Sequence, residues 1–134
     1  VKKINSIFVI DDDDICQYIA VSIIEHSELV KHTKVFNNGK EAIIYLENNC
    51  QILENIPEII LLDLTMPVMD GWEFIENYIK LKPRIGKKVY IYIISSSINP
   101  YDFERAKNIS EVSDYIVKPL TLEGFTELVK FITK

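Results

Sequence analysis

Five times along this chain a short run rich in β-branched and aromatic residues gives way to a longer stretch with apolar residues at helical spacing. That alternation admits few folds: it describes an α/β molecule, a doubly wound parallel sheet with helices on both faces. The strands are expected at Ile7–Ile10, Thr33–Phe36, Glu58–Leu62, Val89–Ile94 and Asp114–Val117. Asp13 or Asp14 caps the first helix, with Ile15, Ile19 and Ile23 along one face. The second helix runs from about Lys40 to Asn48 and turns Ala42, Ile43 and Leu46 inward, and Asn49 to Pro57 reads as loop. Gly71 opens the third, with Phe74, Ile75, Tyr78 and Ile79 in a stripe that ends before Pro83. Asn99-Pro100 sets up the fourth, and Leu122 to Ile132 forms the last, with Phe125, Leu128, Val129 and Ile132 on its core side. At 134 residues the chain suits one domain, residues 1–134, around one sheet.

Composition removes several classes. Mean hydropathy is near zero, and no apolar stretch is as long as a membrane span. An acidic cluster interrupts the first apolar run, so no signal peptide is read and a cytoplasmic location is expected. Net charge is −5, with no stripe of Lys and Arg interleaved with aromatics, which argues against direct binding of nucleic acid. Cys16 and Cys50 lack metal-type spacing and read as free thiols. His26 and His32 have no acidic or nucleophilic neighbours and read as surface or packing residues.

The chemistry lies at the strand ends. Strand one ends in Asp11-Asp12, strand three in Asp63, strand four in Ser95-Ser96 and strand five in Lys118. In a parallel sheet these ends share one edge, where the crevices of open α/β folds lie. Three carboxylates facing one ammonium leave a surplus of negative charge that a cation or a proton must relieve. Mg2+ suits the site best, because it accepts carboxylates, waters and phosphate oxygens in an octahedron. Such a pocket fits phosphoryl transfer, in which charge spread over phosphoryl oxygens is stabilised by a metal, an ammonium and a hydroxyl. Asp63 is then the nucleophile that becomes an acyl phosphate. Asp11 and Asp12 hold the metal, with Asp63 and the backbone carbonyl of Thr65 completing the protein ligands. Ser95 donates to one phosphoryl oxygen and Lys118 pairs with another.

These residues, in this order, resemble the receiver domain of two-component response regulators. The match rests on Asp11-Asp12, the stretch from Asp63 through Met66-Pro67 to Met69-Asp70-Gly71, the hydroxyl at Ser95, Tyr115, and Lys118-Pro119. The resemblance implies a flavodoxin-like (βα)5 fold with strand order 2-1-3-4-5 and a cis peptide before Pro119. It also implies Mg2+-dependent phosphorylation of Asp63 by a sensor histidine kinase or a histidine phosphotransfer protein. Tyr115 becomes a switch that turns inward as the strand-four hydroxyl moves toward the phosphoryl group. The surface of helix four, strand five and helix five is then the output face, for an unknown partner or a homodimer. Three successive serines leave the switch hydroxyl open: counting back from Ala106 favours Ser95, counting back from Lys118 favours Ser96. Thr65 and Ser97 are expected to flank the water approach and set the lifetime of the acyl phosphate.

The chain on this reading is a signalling switch rather than a turnover enzyme, beyond promoting its own phosphorylation and slow hydrolysis. A haloacid-dehalogenase-like phosphatase is the rival, reading Asp11 and Asp13 as its Asp-x-Asp signature. It lacks the expected Thr after the Asp run and an acidic pair beyond Lys118. A pseudo-receiver acting only through its surface is disfavoured, because every charged site position is present.

Overall fold

The computed structural model describes residues 3–134. Five parallel strands form one sheet in the order β2-β1-β3-β4-β5. They are β1 (Ile4–Ile10), β2 (Val30–Phe36), β3 (Ile59–Leu62), β4 (Tyr90–Ser95) and β5 (Val112–Val117). Five helices join them: α1 (Asp14–Ser27), α2 (Gly39–Asn49), α3 (Gly71–Leu81), α4 (Pro100–Lys107) and α5 (Leu122–Ile132). The helical layers on both faces and the strand order are those expected. β3 lies at the centre and is buried throughout, which is why its sequence is an unbroken apolar run.

Alternating side chains send the sheet's two faces into separate cores. Phe8, Ile10, Ile60 and Leu62 pack under α2 and α3 with Leu46, Phe74, Ile75 and Tyr78. Ile7, Val9 and Leu61 pack on the other side with Ile24 of α1 and Phe125, Leu128 and Val129 of α5.

Where the sequence misplaced an element, solvent is the reason. β2 begins at Val30, three residues before the expected Thr33, and pairs Val30 with Ile4, so β1 is also three residues longer. An edge strand carries polar side chains such as Lys31 and His32 in water, and periodicity does not register it. β5, the other edge, likewise starts two residues early at Val112. The expected loop from Asn49 to Pro57 holds a 3-10 turn at Leu53–Asn55.

The inward stripe of α1 differs as well. Ile15 is 71% exposed and Ile19 38%, whereas Ile24 is buried. Steps of four advance about 400° around a helix, so the line from Ile15 to Ile23 drifts. In the first turn of α1 Cys16, not Ile15, is half-buried, against Lys118. Asp13, not Asp14, caps α1 by accepting from the N–H groups of Ile15 and Cys16.

At the far edge of the sheet Glu58 accepts from the N–H groups of Asn5 and Ser6, at 2.6 and 3.0 Å. Its second oxygen meets Lys87 Nζ, which also donates to the carbonyls of Leu53 and Ile56. This latch fixes the starts of β1 and β3, so strand positions at the opposite edge are held from below.

Candidate functional site

Strand register alone brings the charged residues together. Ile10 lies beside Leu62, Leu62 beside Ile93, and Ser95 beside Val117. The next residue after each of the first, third and fifth strands is therefore at the same rim: Asp11, Asp63 and Lys118. Backbone bonds fix them there. Asp11 N donates to Phe36 O, Asp63 N to Ile10 O and Lys118 N to Ser95 O, at 3.1, 2.9 and 2.8 Å. The Lys118-Pro119 peptide is cis.

Asp11 and Asp63 are buried and Asp12 is exposed, and one carboxylate oxygen from each lies within 4.8 Å of the others. Lys118 Nζ reaches Asp11 Oδ2 at 3.0 Å, Asp63 Oδ1 at 3.5 Å and Cys16 Sγ at 3.3 Å. Burial first, then the charge of Asp11, pushes the Asp63 carboxyl up to about 6, with Lys118 pulling the other way. Burial disfavours the Lys118 ammonium, but its bond to Asp11 and the charges of Asp63 and Asp11 outweigh that and hold its pKa above the ordinary lysine value. Hard oxygen donors with surplus negative charge and one solvent-facing member fit a small divalent cation that keeps some of its water.

The remaining site residues surround this cluster. Ser95 ends β4 in a buried position, while Ser96 is exposed. Ser95 Oγ accepts from Ser97 N at 3.1 Å. Tyr115 is half-buried on β5, donates its hydroxyl to Ser97 O at 3.0 Å and packs its ring 4.4 Å from that of Phe103. Thr65 stands exposed in the loop after Asp63. The Ser97 hydroxyl donates to Asp102 Oδ2 at 2.6 Å, so it is committed to α4 rather than free beside the pocket.

Three features escaped sequence reasoning. Cys16 touches Lys118 from the first turn of α1, just after the acidic run, and no spacing in the sequence signals that contact. Val68 adopts φ 68°, with Met69 N bonded to Pro67 O across it at 2.7 Å. A β-branched residue there stores strain in the loop leaving Asp63, and no side-chain pattern signals it. Asp70 caps α3 in a capping box with Glu73, accepting from Glu73 N while the Glu73 carboxylate accepts from Asp70 N.

Gly71 is required by close approach. A Cβ there would lie 2.5 Å from the Asp63 carbonyl oxygen and 2.9 Å from Leu64 Cα, both backbone atoms. Gly71→Ala is expected to cost about 1–3 kcal/mol in urea denaturation and to displace Asp63 from Lys118. Unchanged stability would show that the loop yields freely.

A five-stranded 2-1-3-4-5 sheet with an acidic cluster and a lysine at the carboxyl rim defines a receiver-type α/β protein. The family model for the response regulator receiver domain matches residues 7–130, and the chain belongs to that family. A two-component response regulator from Cytophaga hutchinsonii shares its structure with a TM-score of 0.88, 31% identity and 98% of both chains covered. The phosphorylated cyanobacterial phytochrome response regulator RcpA is similar at a TM-score of 0.74 and 28% identity, over 96% of this chain and 90% of that one. In sequence, the sensor histidine kinase CheAY of Helicobacter pylori is 32% identical over 69% of this chain, which spans 11% of that protein. Across the curated relatives the chain spans from 11% to 79% of their length. The protein is thus a receiver domain of a two-component response regulator, a phosphorylation-dependent switch in type. Among the described residues no helix is long and apolar enough to cross a membrane.

Proposed function

We propose that Asp63 is the phosphoryl acceptor and that Asp11, Asp12, Asp63 and the Thr65 carbonyl hold Mg2+ beside it. The observation that carries this reading is the cluster itself: three carboxylates within 4.8 Å of one another and an ammonium 3.5 Å from Asp63. The donor is a phosphohistidine of a sensor histidine kinase or a histidine phosphotransfer protein. An Asp63 oxygen attacks phosphorus as the P–N bond breaks, and the imidazole leaves. Bound Mg2+ supplies charge neutralisation for the phosphoryl oxygens. Lys118 turns its ammonium from Asp63 Oδ1 toward a phosphoryl oxygen, and Ser95 donates its hydroxyl proton to another.

Access favours such a donor. Ile15 and Tyr18 on α1 are more than 70% exposed, beside the pocket wall formed by Cys16 and Ile19, and offer an apolar face to a helical partner. The new charge, about −1.5 to −2, draws in Ser95 and Lys118 and moves Tyr115 with the Ser97 carbonyl to which its hydroxyl is bonded. The α4-β5-α5 surface, with Tyr101, Val117, Leu122 and Phe131 exposed, then binds an output partner or a second copy. The phosphorylated state is one of two conformers that the charge favours. Self-catalysed phosphorylation and slow hydrolysis complete the cycle, and the setting is the cytoplasm. Residues 1–134 act as one receiver unit.

Incubation with acetyl phosphate and Mg2+, followed by mass mapping, tests the assignment. One phosphoryl group is expected on Asp63, with none after chelation of the metal or in Asp63→Asn. Modification that persists in Asp63→Asn, or that maps to Asp11, overturns it and favours a phosphatase-like mechanism.

A further inference from the structure

Ser97 uses every polar group it has on a different partner, and those partners span the switch. Its N–H donates to Ser95 Oγ at 3.1 Å, and its carbonyl accepts the Tyr115 hydroxyl at 3.0 Å. Its own hydroxyl donates to Asp102 Oδ2 at 2.6 Å and accepts from Asn99 N at 3.2 Å. Asp102 sits in the first turn of α4, and Asn99 caps that helix by accepting from Tyr101 N. One residue on, Phe103 presses its ring against Tyr115. The loop between β4 and α4 is therefore tied at one point to the strand-end hydroxyl, to the β5 tyrosine and to the start of a helix.

This arrangement bears on how a phosphoryl group is read. Ser95 Oγ is engaged here as an acceptor, which leaves its proton for a phosphoryl oxygen on Asp63. If Ser95 moves toward that oxygen, the Ser97 N–H must follow or lose its partner in a half-buried setting, where an unpaired donor is costly. A backbone that follows carries the Ser97 carbonyl and hydroxyl with it.

We propose that Ser97 is the positioning residue that hands the displacement of Ser95 to α4, through the hydroxyl bond to Asp102, in parallel with its carbonyl bond to Tyr115. The inference rests on the reading of Asp63 as phosphoryl acceptor, and adds a route by which helix α4 responds. Ser97 holds no phosphoryl or metal ligand itself. Asp102, on the outer side, touches neither, yet it sets how far the helix follows.

The test uses the whole chain with beryllium fluoride and Mg2+ as phosphoryl mimic, and backbone amide NMR as the readout. In the unaltered protein, shifts are expected at Ser95, at Tyr115 and along Phe103 to Lys107. Asp102→Ala should keep the Ser95 shift and the acetyl phosphate modification of Asp63 but lose at least half of the shift along α4. Asp102→Asn retains an acceptor oxygen and should restore the α4 response. Ser97→Ala removes the same bond from the other side and should reproduce the α4 loss while Tyr115, held by the Ser97 carbonyl, still shifts. An α4 response of full size in both Asp102→Ala and Ser97→Ala overturns the inference while leaving the acceptor assignment intact. Failure of Asp102→Asn to restore it assigns the effect to helix stability instead and equally overturns the proposal. Absence of modification at Asp63 in the unaltered protein overturns the acceptor reading and this inference together.

Discussion

Lys118→Met lowers the stability of the metal-free protein by about 3–5 kcal/mol, the cost of leaving buried charge without its partner. The ammonium lies 3.0 Å from Asp11 and 3.5 Å from Asp63, and both carboxylates are buried. Met fills the stem's volume but supplies no charge, so two carboxylates face each other with nothing between them. Lys118 has a folded pKa raised above its ordinary 10.5. Its stabilisation is therefore fully present below the unfolded value and is lost only as pH rises through the higher folded one. Because Lys118 also holds down the pKa of Asp63, which titrates at about 6, the deficit of Lys118→Met should be small near roughly pH 4 and grow as Asp63 ionises toward about pH 7 and above. Added Mg2+ should recover part of it, since a ligand bound only by the folded state stabilises by mass action. Urea denaturation with and without chelator measures both. A loss below about 1 kcal/mol would mean that the carboxylates are relieved by solvent, and the lysine would no longer explain how the rim is held.

Asp63→Asn acts in the opposite direction. Asp63 has a carboxyl raised from 3.8 to about 6 by burial and by Asp11, so its ionised form opposes folding. For an acid shifted upward, stability is greatest below the unfolded value and is lost as pH climbs through the folded one. The metal-free protein should thus weaken between roughly pH 4 and pH 7 by an amount on the order of 2 kcal/mol, after discount for solvent. Asn is nearly isosteric and uncharged. The variant should melt roughly 5–10 °C higher than the unaltered protein at pH 7.5 in chelator, and the gap should close toward pH 4. Mg2+ should narrow the gap further by stabilising the unaltered protein more. Equal melting temperatures at pH 7.5 would show that Asp63 is not strained by its neighbours. The two variants share a contact, so their effects should not add: in the double variant, Asn at 63 removes one of the charges that Lys118 was offsetting.

These opposite signs express one design. The site holds three carboxylates against one lysine, so the metal-free form is under charge strain that a bound cation relieves. The loop from Asp63 to Gly71 adds to the local cost through the positive φ of Val68. The latch of Glu58 and Lys87 lies at the other edge, away from this chemistry, and supports the strands that present it.

The sequence by itself determined the α/β class and the five strands and helices. It also identified the rim residues, because periodicity and strand-end position reflect local chain geometry. An unbroken apolar run such as Ile59 to Leu62 can only be buried, and the residue after it must emerge at the rim. The resemblance carried by Asp63-Leu64-Thr65-Met66-Pro67 and Lys118-Pro119 supplied the strand order. Tertiary structure alone decided what depends on distance across the fold. It separated buried Ser95 from exposed Ser96, and it extended the edge strand β2 into polar sequence that pairing, not side-chain pattern, makes strand. It also exposed Ile15, placed Cys16 against Lys118, and tied Ser97 to Asp102. The reason is common to all of these: local periodicity reports which way a side chain points from its own element, while burial, charge and hydrogen bonding are fixed by neighbours remote in the chain.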